Sequence, residues 1–399
     1  MSHTAVELRR ARIALTISFI GNGFLAGTLV SRTADIKHAL HLSAGGLGTA
    51  LLMGALASLL WMAIASRWVQ RWGSGPVTAV AIGAYCASFP LLGFATTVPL
   101  LWTAFIAYGI VLTTHEVAMN SHAVTLEHAG ERRIMSMLHA TWSIGTLCGA
   151  GVGGLLSQRH LQIGWHFAVT ATVVALVGVG MRSWLLPGSA DHASRVHASE
   201  KKKRFQALPG VFVALGLIGL CEQVGEGGAG NWGAVLARES FRASPFLATL
   251  PYIGFSVVMI VGRLTGDRLA NRFGARTLLV ASGLIIASGL GLGMALDSLT
   301  GEVIAWLFLG AGCSNVIPLL FSATGRMARA SSGVLVVPSA ALALVTAISY
   351  SGSLVGPPMI GYLADATSLH RALEWAAILG LFVAGGTLLV FTRDSEAVH

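Results

Sequence analysis

Apolar runs of about 20 residues recur from one end of the chain to the other, the length a bilayer's hydrocarbon core demands of a helix. In lipid every backbone amide and carbonyl must find its partner inside its own segment, so runs of this length fold as helices and not as open strands. Twelve can be drawn, at about 11–31, 45–66, 75–95, 99–122, 136–157, 163–184, 208–237, 246–266, 277–296, 302–324, 334–364 and 371–392. The seventh and eleventh are long enough to be broken, tilted or to protrude. Charge agrees: only 11% of the residues are charged, against about one quarter in soluble domains. The chain therefore reads as an all-α integral membrane protein with 12 transmembrane helices and the lipid bilayer as solvent. Arg9, Arg10 and Arg12 lead into the first run with no small-residue cleavage site after it, so no cleavable signal is expected.

A net charge of +9 suggests nucleic acid until its distribution is followed. With both termini on the same side of 12 spans, only Arg32, Lys37, Arg159, Arg238, Arg242 and Arg371 fall in the opposite loops. The other Lys and Arg sit at the termini and in the loops on their side, four of them at the loop between the eighth and ninth runs. The positive-inside rule then places both termini in the cytoplasm and accounts for the charge without nucleic acid. Pro187–Phe205, PGSADHASRVHASEKKKRF, is the one long polar stretch. It divides the chain into residues 1–186, a cytoplasmic linker 187–205 and residues 206–399. Cys86, Cys148, Cys221 and Cys313 lie in separate runs without a CxxC pair and read as small apolar residues.

The two halves repeat. Arg67, Arg71 and Gly73 in ASRWVQRWGSG correspond to Arg268, Arg272 and Gly274 in GDRLANRFGAR at an offset of 201, and Gly109 and Ser121 match Gly310 and Ser322 at the same offset. Gly145, Leu147, Gly149, Gly154 and Leu156 match Gly352, Leu354, Gly356, Gly361 and Leu363 at an offset of 207. Matches in the same order point to a duplicated six-helix unit.

Polar residues inside the runs follow a second pattern: Asn22 in the first, His115, Glu116 and Asn120 in the fourth, Glu222, Gln223 and Glu226 in the seventh, Asn315 in the tenth. Groups on every third helix are what a central cavity lined by helices 1, 4, 7 and 10 would require, because intramembrane polar groups avoid lipid. Glu116 and Asn120 share a helix face, four residues apart. Glu116 reads as a solute ligand or proton carrier, with neutralisation by hydrogen bonds to Asn120 or His115 as the plainer alternative. Glu222 and Glu226, one turn apart, repel in an apolar setting, which suits a carboxyl loaded with a proton on one side and emptied on the other. The plainer alternative is a cap on a helix broken at Gly225–Gly230, a break that would also expose Glu226. Asn22, Trp142, Gln223 and Asn315 complete the candidate solute site. His122 and His139, near the cytoplasmic ends, read as gate contacts. The histidines lack any metal-ligand spacing, and no P-loop or GxSxG is present, so neither cofactor, metal nor ATP is expected.

The loop signature of an acid and basic residues around a glycine, clear in GDRLANRFGAR and lacking its acid in ASRWVQRWGSG, resembles that of the major facilitator superfamily of secondary transporters, over essentially the whole chain. The resemblance implies a fold of two six-helix pseudo-repeats and a gating role for Asp267, Arg268 and Arg272. The stretches EVAMNSHAVTLEHAGERRIMSMLHATWSIG and EGGAGNWGAVL are similar to the bacterial branch called YbjJ-like, near the fucose-permease group. That branch more usually has Asp where Glu116 stands and Gln where His122 stands. Exporters of the superfamily often carry G-x3-G-P-x2-G-G in the fifth helix; Gly145, Gly149, Gly153 and Gly154 fit, with Ala150 in the proline position. Close helix packing between the halves also explains these glycines.

The expectation is a monomeric secondary transporter of the inner membrane, working by alternating access. It imports a small, polar, sugar-like solute with protons. Proton-driven efflux of amphipathic compounds is the alternative, and a membrane-embedded enzyme using Glu116 and the histidines is the rival from another class.

Overall fold

The computed structural model describes residues 4–130, 134–191, 210–330 and 338–391; the basic run Lys201–Lys203 and the loop residues Glu131–Arg133 lie outside them. The described residues form α1 (Ala5–Ala39), α2 (Ala44–Trp72), α3 (Ser74–Phe94), α4 (Val98–Gly130), α5 (Met135–Gln158), α6 (Ile163–Gly180), α7 (Gly210–Glu239), α8 (Leu250–Phe273), α9 (Ala275–Ala295), α10 (Leu299–Cys313), α11 (Val316–Ala330), α12 (Pro338–Ala366) and α13 (Leu369–Val390). No strand occurs among them. Among the described residues, eleven stretches are long and apolar enough to cross a membrane. The remaining expected span, α5, has 24 residues, about 36 Å at 1.5 Å per residue.

The chain divides into two compact units, Met1–His41 with Thr49–Lys203, and Leu42–Gly48 with Arg204–His399. In the first, α1 packs most extensively on α5, and α3 on α4 and α6. The α1–α5 seam is built from backbone. A Cβ on Gly23 would meet the Trp142 carbonyl oxygen at 2.1 Å, on Gly27 that of Thr146 at 1.9 Å, on Gly145 that of Ile20 at 2.3 Å and on Gly149 that of Phe24 at 2.1 Å. Gly145 and Gly149 thus pack inside one unit, whereas the sequence points to packing between the halves. Cys148, also on α5, is exposed. A short 3-10 turn at Gly188–Asp191 docks on the start of α3, so the first residues of the stretch read as linker belong to the first unit.

The second unit repeats the plan. A Cβ on Gly352 of α12 would meet the Leu220 carbonyl oxygen of α7 at 2.3 Å, as Gly145 does Ile20. Likewise Gly109 lies against the Gly54 carbonyl and Gly310 against that of Phe255. Gly73 and Gly274, before α3 and α9, both have positive φ, 91° and 82°, a region glycine enters without the Cβ penalty. Arg71 lies over the Trp72 ring and Arg272 over that of Phe273, at 5.8 and 5.3 Å. Asp365 of α12 caps the start of α2, which falls in this second unit: its carboxylate accepts from Ser43 Oγ at 2.7 Å and from the amides of Ala44 and Gly45 at 2.9 Å.

The break expected at Gly225–Gly230 is absent: α7 runs as one helix from Gly210 to Glu239. Glycine costs a helix about 1 kcal/mol, but a break in mid-helix would leave backbone amides and carbonyls without partners, and lipid supplies none. The interruption falls in the tenth span instead, at Ser314–Asn315 between α10 and α11.

Candidate functional site

In the first unit the polar residues of α1, α4 and α5 form one closed network. His115 is fully buried; its Nε2 lies 2.9 Å from Ser18 Oγ and its Nδ1 3.1 Å from Asn22 Nδ2. Trp142 Nε1, a donor only, gives its hydrogen to Asn22 Oδ1 at 2.7 Å. That fixes the amide orientation, so Asn22 Nδ2 donates to His115 Nδ1 and the imidazole is neutral, donating from Nε2 to Ser18. Tyr85 stacks on the imidazole at 5.9 Å. Asn22, 1% exposed, has both ends of its amide engaged by protein, as has the Trp142 indole nitrogen. These two expected solute ligands therefore hold helices together in this conformation.

Glu116, beside this network on α4, is half-buried. Neither plain explanation of its charge is met. Asn120 Nδ2 donates to the Glu116 backbone carbonyl at 2.9 Å, not to the carboxylate, and His115 is engaged elsewhere. The carboxylate makes no hydrogen bond or ion pair among the described residues.

His122, expected at a gate, is buried in a second network that the sequence did not reveal. Leu186 N donates to His122 Nε2 at 3.3 Å, leaving Nδ1 to donate to Ser74 Oγ at 2.9 Å. Ser74 donates its hydroxyl and its amide to Asp191, at 2.7 and 2.5 Å, and Thr125 Oγ1 adds a third bond at 2.6 Å. The acid missing from ASRWVQRWGSG is thus supplied from the far end of the unit, at the N-terminus of α3 where a carboxylate complements the helix dipole. A pattern search along the loop itself cannot find it. His139 is exposed, with its ring edge-on to Phe19 at 5.5 Å.

In the second unit α7 presents Glu222, Gln223 and Glu226. Glu222 is 1% exposed, and neither carboxyl oxygen has a hydrogen-bond partner. Gln223 Nε2 donates to Glu226 Oε2 at 3.2 Å. Glu226 Oε1 lies 3.8 Å from Nη2 of Arg263 on α8, with the side chains 30% and 44% exposed. In the sequence Arg263 reads as one of the loop charges between the eighth and ninth runs, yet it stands ten residues before the end of α8, about 15 Å along the axis.

Asn315 sits at the interruption of the tenth span, 7% exposed. Its Nδ2 donates to the Gly262 carbonyl at 3.1 Å and to Ser314 Oγ at 2.9 Å. It pins α8 beside Arg263, and its amide hydrogens are spent on protein. Asp267, Arg268 and Arg272 are exposed and form no ion pair among the described residues. Each unit therefore offers acids unpaired or loosely paired within its spans, and amides already engaged.

The chain matches the family model described as Major Facilitator Superfamily over residues 13–223. It is 32% identical to the Uncharacterized transporter y4wD of Sinorhizobium fredii, over 92% of this chain and 93% of that protein. It is 27% identical to the Membrane protein MosC of Rhizobium meliloti, over 96% and 90%. Among solved structures, a bacterial homologue of the human lysosomal transporter Spinster, inward-facing and occupied, superposes with a TM-score of 0.77, covering 99% of both chains at 15% identity. These matches carry the superfamily and the fold; they do not single out the YbjJ-like branch.

Proposed function

We propose that this chain, which belongs to the major facilitator superfamily and is a multi-pass membrane transporter, moves a small polar solute by alternating access in symport with protons. One observation carries the reading: acids stand inside the spans with little or nothing to neutralise them. Glu116 is half-buried without a partner, Glu222 is buried without a hydrogen bond, and Glu226 has one hydrogen bond from Gln223 and a loose ion pair. Uncompensated charge within a span is costly and marks ion and solute pathways. Glu116 and Asn120 hold the solute, and Glu226 or Glu222 carries the proton. Family and fold point to transport, not catalysis. The distribution of Lys and Arg supports an inner-membrane protein with both termini cytoplasmic, and we propose that it acts as a monomer. Export gains no support from Gly145, Gly149 and Gly153, since all three pack against α1 within the seam.

The test compares metabolite uptake and efflux between a deletion and an overexpressing strain, then follows the solute so found in proteoliposomes under an imposed pH gradient. Accumulation should follow the gradient. Glu226→Gln should abolish it while exchange of preloaded solute persists. Proton-driven accumulation that survives in Glu222→Gln, Glu226→Gln and the double variant defeats this assignment of the carrier.

A further inference from the structure

We propose that the transported solute is an organic anion bearing a carboxylate or phosphate, and that Arg263 receives it in exchange for Glu226. The inference rests on the transport reading above and names the solute's class. A guanidinium cannot lose its charge in a protein, so Arg263 is a permanent cation ten residues inside α8, and such a group needs a partner within the membrane. The partner it has is poor. Glu226 Oε1 stands 3.8 Å from Nη2, outside the roughly 2.7–2.9 Å of a charge-assisted hydrogen bond. Among the described residues no other acid pairs with it. A fork of five donors suited to bidentate capture of a carboxylate or phosphate is thus held at its base and idle at its tip. The base is held because Asn315 binds the carbonyl of Gly262, the preceding residue. The side chain is 44% accessible, and its closest acid is the Glu226 carboxylate at 3.8 Å.

The exchange has a proton consequence. When an incoming anion takes the guanidinium, Glu226 keeps only Gln223 Nε2 as a donor, one turn from Glu222. Its carboxylate then binds a proton from the aqueous side facing the site and becomes the neutral acid, while Arg263 stays charged. Solute and proton load together, and departure of the anion returns Glu226 to Arg263 with release of the proton. The charged or titratable groups facing Glu226 are Glu222 on its own helix, Arg263 and Tyr252 on α8, and Cys313 on α10. From α12 the nearest residues, around Gly227, are Ser353 and Pro357, neither of which titrates.

The test uses the purified full-length protein and matched probes: gluconate, tartrate and glucose 6-phosphate against neutral sorbitol and glucose. Binding is read from the thermal midpoint and tryptophan fluorescence, and proton uptake from a pH indicator in weak buffer. Wild type should respond saturably to at least one anion and to neither neutral probe, taking up about one proton per anion bound. Arg263→Gln should weaken binding about tenfold or more, the loss of one charge-assisted contact, and Arg263→Lys should restore part of it. Glu226→Gln should bind the anion as tightly or more tightly, with no proton uptake. Neutral probes binding as well as anions, Arg263→Gln binding undiminished, or no response to any anion between pH 5 and pH 8 each overturns the proposal. Pre-transition fluorescence and gel filtration identify a misfolded variant, and the Arg263→Lys and Glu226→Gln results then decide. The two readings fail separately. Gradient-driven transport of a neutral solute, indifferent to Arg263→Gln, would leave the transporter proton-coupled and this inference wrong. Anion binding with proton uptake but no gradient-driven movement would do the reverse.

Discussion

At the scale of single residues, the same chemical groups serve opposite ends depending on whether they are satisfied. His115, Asn22, Ser18 and Trp142 close on one another, and such a network is costly to open because each deletion strands a buried partner. His115→Leu leaves the Asn22 amide and the Ser18 hydroxyl unpaired. A loss of about 1–3 kcal/mol is expected, seen as a lower thermal midpoint in detergent; an unchanged midpoint would show that these bonds do not hold α1 to α4. Glu116, unpaired, belongs to the other kind. Glu116→Gln should raise the KM for the solute about tenfold and leave the pH dependence of uptake in place, whereas a lost pH response with unchanged KM would move the proton to Glu116. The sequence located Glu116, Glu222 and Glu226 because an acid in an apolar run is conspicuous. It overstated Asn22, Trp142 and Asn315, because nothing in a sequence tells whether an amide or an indole is already bonded. Arg263 escaped notice for the opposite reason: near other cations it passed for a loop charge.

Among elements, the α1–α5 seam shows what the glycines are for. With lipid on the outside there is no hydrophobic gain in bringing two helices together, so dispersion at close range has to supply it. Gly149→Leu forces the backbones apart and should cost at least about 1–3 kcal/mol, lowering both folded yield and thermal midpoint. Gly151→Ala, on the same helix but with nothing within 4 Å of the added carbon, should be neutral or stabilising by up to about 1 kcal/mol. Equal damage from both would mean that helix propensity and not contact is at work. The helices themselves were legible because bilayer thickness dictates their length. The interruption was not. The glycines read as the breaker in α7, while Ser314 and Asn315 interrupt the tenth span, with Asn315 bonded to Gly262 of α8. That choice depends on a neighbouring helix, which the local sequence does not contain.

For the whole molecule, the duplication extends from residue matches to geometry: a positive-φ glycine before α3 and before α9, and a glycine-to-carbonyl seam in each unit. Gly73→Ala and Gly274→Ala should each cost about 1–3 kcal/mol of backbone strain, and similar thermal losses from the two would show that the copies bear similar constraint. Topology is tested by membrane-impermeant labelling of single cysteines placed at Gln70, Asp267 and Arg371 in intact cells. Gln70 and Asp267 should stay protected and Arg371 should react, and the reverse pattern would invert the positive-inside assignment. The seam has one more consequence, for how such a protein changes over generations. A contact made of backbone has no side chain left to trim, because nothing smaller than glycine's hydrogen exists, and every single substitution there only adds bulk. Gradual drift at Gly23, Gly27, Gly145 and Gly149 can therefore run in one direction alone, toward misfit, and no compensating shave on the facing carbonyl is available. New solute preferences have to be reached from positions outside the seam, which itself stays as it was inherited.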